Sequence, residues 1–527
     1  MWPRLRIDDV CTIVHFLGTM VLAIGVVMLI PLLVALLCNE PEPALDFFVG
    51  FGVAFVAGAA MRLVKPKRKG LTGMQALVIT GLAWVAAALV SAVPFFVGGY
   101  FDTYFDAFFD SVSYYTDTGM ALLQNLSHLP ISFGLWRQIM LVIGAEGIVL
   151  VALGLGTISG FSGAGLLFEA EGHLDRISPR FADTSRLLAG ILGAFIVFGT
   201  LVCTLLCRVL CGMSGLRALY HGFCLAAAAV STGGLTAMDA GVGYYHQPIL
   251  YAVLMVLMFA GIFSFAVYLR MAVKGPREFF RDIETRMILL WSFIIIILLS
   301  VAFAHDGYFG SIGTIIDKGL FNAASALTGT GFCSLTSTQL TGVASSGILF
   351  AYILAMSMGG ATSSTAGGIK AIRMAIVFKS IASEVRRRLL PQHARSVIRY
   401  YHLGEQTLTD ELSRNAMLVL LLFLVTYITG AIMGMLCGYS PLSAMLESVS
   451  CTNNCGISAG IIGEGLPTPL KITYLIQMLA GRLEFITFLS TITSLLVSVG
   501  RGCIDSKIGS AFIKRFPPSA ALSVIPA

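Results

Sequence analysis

The chain has 527 residues, of which 57% are hydrophobic and 12% charged, with a formal net charge of +6. A soluble globular chain carries about 25% charged residues, so this composition excludes a soluble enzyme, a disordered scaffold and a nucleic-acid-binding module. The 56 glycines in so apolar a chain point to closely packed helices or to backbone that bends inside a membrane.

About ten stretches reach the length and apolarity needed to cross a hydrocarbon core. In chain order they are Val10–Leu37, Phe47–Val64, Met74–Phe96, Ile139–Leu155, Leu187–Leu210, Ile249–Leu269, Met287–Ala304, Ile348–Met358 with its continuation, Ala416–Leu436 and Ile472–Val499. The first is too long, and lacks the small-residue cleavage site, for a secretory signal. The connections alternate steeply in charge. One set holds Arg4, Arg6, Lys65 to Lys69, Arg176 to Arg186, Arg270 to Arg286, the dense run Lys370 to Arg399, and Arg501 to Arg515. The other holds Arg137, Arg208, Arg217, Lys318 and Lys471 beside acids such as Glu40, Asp102, Asp106 and Asp110. Basic residues are retained on the cytoplasmic side, which predicts that both termini are cytoplasmic. The eleven cysteines, such as Cys203, Cys207 and Cys211, form no paired framework and read as small buried hydrophobes.

Between spans, a short amphipathic run leads four times into a small polar cluster ending in glycine. The clusters are Ser113–Gly119, Ala229–Gly233, Ser325–Gly331 and Ser450–Gly456. The runs before them are Tyr104–Ser111, Leu216–Ala228, Ile315–Ala326 and Leu442–Ser450. Any one cluster reads equally well as an ordinary Thr-Gly turn; four, each between a half-span and a span, read as an internal repeat. Irregular backbone at membrane depth is tolerated where it lines an aqueous cavity or is buried in protein. Four such loops around one axis make a ring of carbonyls able to replace a cation's hydration shell, and glycine supplies the positive φ that such a ring demands.

With Ser231-Thr-Gly-Gly234, the stretch Gly359-Gly-Ala-Thr-Ser-Ser-Thr-Ala-Gly-Gly-Ile-Lys370 and Ala480-Gly-Arg-Leu-Glu484 in order, the chain resembles the Trk/Ktr/HKT superfamily of potassium transporters, TrkH type, from about Met74 to Val499. The resemblance implies an all-α polytopic membrane fold of four pseudo-symmetric span–pore helix–filter loop–span repeats around one pore, plus an N-terminal two-helix hairpin. The expected divisions are 1–70 for the hairpin, 71–160, 161–275, 276–400 and 401–500 for the repeats, with a gating loop at 358–370, and 501–527 for a cytoplasmic tail. It assigns the potassium filter to Thr116, Asp117, Thr118 and Gly119; Val230, Ser231, Thr232 and Gly233; Thr328, Gly329, Thr330 and Gly331; and Asn453, Asn454, Cys455 and Gly456. It assigns the gate to Gly359, Gly360, Thr362, Ser363, Ser364, Thr365, Gly367 and Gly368, with Arg482 facing the pore beside it. Ser363 stands where the family usually has glycine.

The gate stretch also reads, without the resemblance, as a tight helix contact through small residues, and Arg482 as half of a salt bridge to Glu484 or another acid. Asp117 departs from the family's uncharged residue. Either its carboxylate is hydrogen-bonded behind the filter to Tyr114, Tyr115 or backbone amides, or it faces the outer mouth with Asp102, Asp106 and Asp110. The resemblance further implies potassium as the transported ion and no catalytic activity. It also implies residence in the cytoplasmic (inner) membrane, a homodimer, and a cytosolic TrkA-like nucleotide-binding ring on the surface that carries Arg386–Arg399. That basic run equally suits anionic lipid. No GxGxxG follows a predicted strand, so nucleotide sensing falls to the partner, and no nucleic acid is expected. A sodium-permeable or sodium-coupled relative and a transport-dead sensor on the same fold are the alternatives; dispersed histidines and the lack of HExxH disfavour a membrane enzyme.

Overall fold

The computed structural model describes residues 5–64, 66, 70–147, 181–305, 319–334, 345–389 and 397–504. Helices α1 (Ile7–Leu37) and α2 (Pro41–Leu63) form the N-terminal hairpin. Glycines let them meet closely: a Cβ on Gly18 would lie 2.8 Å from the Gly58 carbonyl, and one on Gly25 would lie 2.9 Å from the Ala54 Cβ. Without a hydrophobic difference between lipid and protein, such backbone approach is what gives a membrane helix pair its dispersion energy. The hairpin lies along α3 (Gly73–Ser91), which starts at a capping box between Thr72 and Gln75. That box satisfies two otherwise orphaned backbone donors at the membrane edge.

The remainder is a fourfold theme. The first repeat is α3, the short helix α4 (Tyr104–Tyr115) and α5 (Ile131–Glu146). The second is α6 (Phe181–Leu210), short helix α7 (Gly215–Val230), and α8 (Pro248–Ile262) with α9 (Phe265–Lys274). The third is α10 (Ile283–His305), short helix α11 (Phe321–Thr328), and α12 (Ser346–Ser357) with α13 (Ala371–Leu389). A two-stranded hairpin, β1 (Arg399–Tyr401) and β2 (Glu405–Thr407), follows. The fourth repeat is α14 (Asp410–Leu436), short helix α15 (Pro441–Asn453), and α16 (Thr468–Arg482) with α17 (Ile486–Ile504).

The repeats close into a ring. The helix after each loop packs on the short helix of the next repeat: α5 on α7, α8 on α11, α12 on α15 and α16 on α4. Helix α17 returns to α3. Three lining helices also approach the end of their own short helix through glycine. Side chains at Gly144, Gly261 and Gly481 would strike the carbonyls of Tyr115, Val230 and Thr452.

Ten spans were expected. Among the described residues six single helices are long and apolar enough to cross, and eight spans result if each bent pair counts once. The α8–α9 pair bends by 91° and the pair Thr468–Arg482 with Ile486–Ser498 by 117°. Helix α12 has 12 residues and stops where Gly359-Gly360 begins. The second half of the expected span Ile139–Leu155, the start of the run Ile315–Ala326 and the tail beyond Ile504 lie outside the described residues.

Candidate functional site

Four short helices end in loops that share one hydrogen-bond register. The amides of Asp117, Thr232, Gly329 and Asn454 donate to the carbonyls of Tyr114, Ala229, Ala326 and Cys451 at 3.3–3.4 Å. The next amides, of Thr118, Gly233, Thr330 and Cys455, donate to Ser113, Ala228, Ser325 and Ser450 at 2.9–3.0 Å. Positive φ follows the same frame: Asp117 and Gly119, Thr232 and Gly234, Gly329 and Gly331, Asn454 and Gly456. The second loop therefore carries the pattern one residue later than the sequence implied. The terminal glycine equivalent to Gly119 is Gly234, and Gly233 occupies the place of Thr118. Ser231-Thr-Gly-Gly234 offers two glycines, and only the backbone register selects the second.

The loops meet in a closed ring. A side chain at Gly119 would strike the Gly233 carbonyl, at Gly234 that of Thr330, at Gly331 that of Cys455, and at Gly456 that of Thr118. Each loop thus presents one equivalent carbonyl to its neighbour, in the order of the repeats. Polar side chains brace the ring from behind. Thr116 and Thr118 hydroxyls bond at 2.8 Å, as do those of Thr328 and Thr330, and Asn454 Nδ2 donates to Thr118 Oγ1 at 3.0 Å. Residues Thr116 to Thr118, Val230 to Thr232, Thr330 and Asn454 to Cys455 are fully buried. The four short helices end at this ring, which places the negative ends of their dipoles beside it.

A second set of side chains holds the descending chain after each loop. Asp110 accepts from the amides of Leu122 at 2.7 Å and Leu123 at 3.1 Å. Asn322 accepts from the Ser334 amide at 2.9 Å, and Glu447 from Ala459 at 2.7 Å and Ile462 at 3.1 Å. Asp110, Asn322 and Glu447 occupy equivalent places on their helices, and so do the amides of Leu122, Ser334 and Ala459. The second repeat has Leu225 there. Its chain after the loop is held instead by Gln138 and Arg137, which donate to the carbonyls of Leu235 and Thr236. Asp110 is therefore no mouth acid: it is fully buried. Asp106 pairs with Lys471. The spacing of three unlike side chains to backbone amides carries no residue-type signal in the sequence.

Among the described residues Asp117 takes none of its expected partners, Tyr114, Tyr115 or a backbone amide. Tyr114 donates to Asp110, and Tyr115 bonds Ser91. The buried Asp117 carboxylate lies 2.9 Å from Arg482 Nη2, and it does not face the mouth. Arg482 also donates to the carbonyls of Thr365 at 2.9 Å and Gly144 at 2.5 Å. Glu484 pairs with Arg373, so the acid that meets Arg482 comes from the first loop.

Residues 358–370 are not helical. The segment folds back on itself through a bridge between Met358 and Ile369 and a bond from the Gly359 amide to the Ile369 carbonyl at 2.8 Å. It fills the break between α8 and α9, where Ala361 and Thr365 amides donate to Ile262 and Gly261, and Ser363 accepts from Phe265. Its Thr365 hydroxyl donates to the Val230 carbonyl at 2.9 Å, and a side chain at Gly367 would meet the Asn453 carbonyl at 2.7 Å. The segment therefore abuts the second and fourth loops. On one side of the ring is a vestibule of about 570 Å³ lined by Gly119, Gly234, Gly456 and Asp239. On the other, between Trp84, Thr362, Gly367, Lys370 and Arg482, is a cavity of about 40 Å³, room for only a few waters. Asp239 clasps the chain after the first repeat's loop at the amides of Leu126 and Ser127, 2.7 and 3.1 Å away.

A family model described as TrkH, a cation transport protein, matches residues 45–498. The chain belongs to the TrkH family. Proteins of this family move an ion and break no covalent bond, so the chain is not an enzyme. It is 30% identical over 493 residues to an uncharacterized cation transporter, MJ1485, of Methanocaldococcus jannaschii, covering 92% of this chain and 96% of that protein. It is 29% identical over 490 residues to the Trk system potassium uptake protein TrkG of Escherichia coli, covering 90% and 96%. Its fold matches the crystal structure of the potassium transporter TrkH from Vibrio parahaemolyticus with a TM-score of 0.74 at 23% identity, covering 92% and 98% of the two chains.

Proposed function

We propose that this TrkH-family protein is the pore-forming subunit of a potassium uptake system in the cytoplasmic membrane. The observation that carries the reading is the closed ring of four loops with one backbone register, each offering a carbonyl to the next. In this reading the short helices are pore helices and a dehydrated potassium ion passes the ring. Its hydration shell is replaced by carbonyls of the first loop (Thr116 to Thr118), second loop (Ser231 to Gly233), third loop (Thr328 to Thr330) and fourth loop (Asn453 to Cys455). The similarity to Trk system potassium uptake proteins supports potassium as the ion. Asp117 makes a sodium-permeable pore the chief alternative; its carboxylate pairs with Arg482, which offsets its charge beside the path.

Residues 358–370 act as the gate. The contrast between a roomy outer vestibule and a nearly filled space beneath the ring supports a closed state occluded on the cytoplasmic side. Arg482 adds a cation beside the path, partly neutralised by Asp117. Two such chains form a homodimer, both termini are cytoplasmic, and a cytosolic TrkA-like ring docks on the face that exposes Arg386, Arg387 and Arg388. The test is growth of an uptake-deficient bacterium on low potassium with this chain alone and with a TrkA-like partner. Rescue that requires potassium supports the reading; failure of a membrane-inserted chain to rescue or to conduct in vesicles contradicts it.

A further inference from the structure

The gate segment is tied to a cytoplasmic element by a chain of buried side chains. Glu284, the second residue of α10 and fully buried, accepts from the Thr362 amide at 2.9 Å and from the Thr362 hydroxyl. Asp282 precedes α10 and caps it, its Oδ1 accepting from the Glu284 amide at 2.9 Å. Its other oxygen, Oδ2, lies 3.0 Å from His402 Nδ1, and Glu284 Oε2 lies 3.9 Å from the same nitrogen. One oxygen of each carboxylate is therefore committed to the helix cap or to the gate, and the other turns to His402.

His402 sits at the tip of the β1–β2 hairpin, which reverses direction at Leu403 and Gly404, both with positive φ. The hairpin is held to the α9–α10 connection besides: Tyr401 donates to Glu278 at 2.5 Å, and the Arg281 guanidinium lies 4.2 Å from the Tyr401 ring centroid. His402 is about one-tenth exposed, while Asp282 and Glu284 are shut from solvent. A polar contact this buried is worth more than an exposed one and is costly to leave half made.

We propose that His402 is a positioning residue for the gate: it holds Asp282 and Glu284 in the arrangement that fastens Thr362, and the hairpin 399–407 is the cytoplasmic handle through which force reaches residues 358–370. The inference rests on the reading of that segment as the gate. A load that lifts the hairpin withdraws His402, loosens the carboxylates and frees Thr362. Two elements at the membrane face, far apart in the chain, thereby share one mechanical state.

The test is potassium flux into vesicles reconstituted with the full chain and no partner. His402→Ala raises flux by roughly fivefold, whereas His402→Asn, which keeps an amide donor near the position of Nδ1, stays near wild type. Thr362→Val raises flux, and adding His402→Ala to it gives no further rise, because both act through one linkage. Tyr401→Phe, a milder change nearer the surface, raises flux in the wild-type background and has no effect beside His402→Ala. It serves as the second variant if His402→Ala elutes as aggregate on size exclusion. Wild-type flux in well-folded His402→Ala and Tyr401→Phe, or additive effects with Thr362→Val, overturns the proposal. Deletion of residues 362–365 separates the two levels: if the deletion leaves flux at the wild-type level, the gate itself lies elsewhere, and if the deletion opens the pore while His402→Ala does not, the handle alone is wrong.

Discussion

Asp117 and Arg482 show how a charge that looks misplaced in a sequence is answered in the fold. An arginine in an apolar helix and an aspartate in a buried loop are each expensive in a membrane; at 2.9 Å from one another their charges offset one another in part. Removing one partner of a buried pair is worth about 3 kcal/mol or more, since the other charge is left uncompensated. Asp117→Asn should therefore lower thermal stability by about that amount, and Asp117→Asn/Arg482→Gln should recover part of it. A double-mutant cycle on melting in detergent checks this, and additive losses would show that the two side chains do not interact. Because the pair also reaches Thr365, Asp117→Asn should change flux at every ionic strength. A mouth carboxylate would change it only in dilute salt, where its field is unscreened.

At the vestibule, Asp239 is pulled in two directions: partial burial raises its pKa, while bonds from Ser127 and from the Leu126 and Ser127 amides lower it, and the net shift is downward. A carboxylate with a depressed folded-state pKa stabilises the fold above the unfolded value, near 3.9, and the contribution disappears as pH falls through the folded value. Melting of Asp239→Asn should thus fall below that of wild type above about pH 4 and merge with it in stronger acid. A gap that persists unchanged into acid would mean that the clasp does not depend on the charge.

At the scale of elements, three of the four ring loops are supported from behind by one side chain of their own short helix. Glu447 receives three donors, Ser458 Oγ and the Ala459 and Ile462 amides. An alanine there orphans buried amides at about 1–3 kcal/mol each. Glu447→Ala should destabilise the protein by roughly 2 kcal/mol and loosen ion discrimination, and Glu447→Gln should do less of both, as the natural Asn322 holds its own loop with an amide. Equal discrimination in wild type and Glu447→Ala would make this brace purely structural.

The elements also show what a sequence reveals. The six single spans, the hairpin, the four short helices and the break at Gly359-Gly360 follow from apolar run length and from glycine and hydroxyl clusters, which are local signals. The register of the second loop does not, because two adjacent glycines satisfy the same local rule. The partners of Asp117 and of Asp110 do not either, since they depend on which helix the ring brings alongside. The two bends, 91° and 117°, are hidden for a related reason: each pair taken together is apolar enough to read as one span, and at the first break the freed backbone is satisfied by the third repeat, through Ala361, Ser363 and Thr365.

For the whole molecule, the four repeats act as a ring, because each loop meets the backbone of the next. Closure is carried by the packing of each lining helix on the next repeat's short helix and by the return of α17 to α3. The ring's symmetry is imperfect: Asp117, Thr232, Gly329 and Asn454 occupy one position. Such inequality gives each side of the ring different surroundings.

The measurement that tests this most directly is the potassium-over-sodium flux ratio in vesicles for Gly234→Ser and Gly331→Ser beside wild type. Both positions have positive φ, 64° and 86°, and a side chain at either strikes a neighbouring loop's backbone. The account predicts that both variants fold, conduct and lose discrimination by about tenfold, the equivalent of 1.4 kcal/mol. An unchanged ratio in both folded variants would contradict it and remove these loops from the ion path.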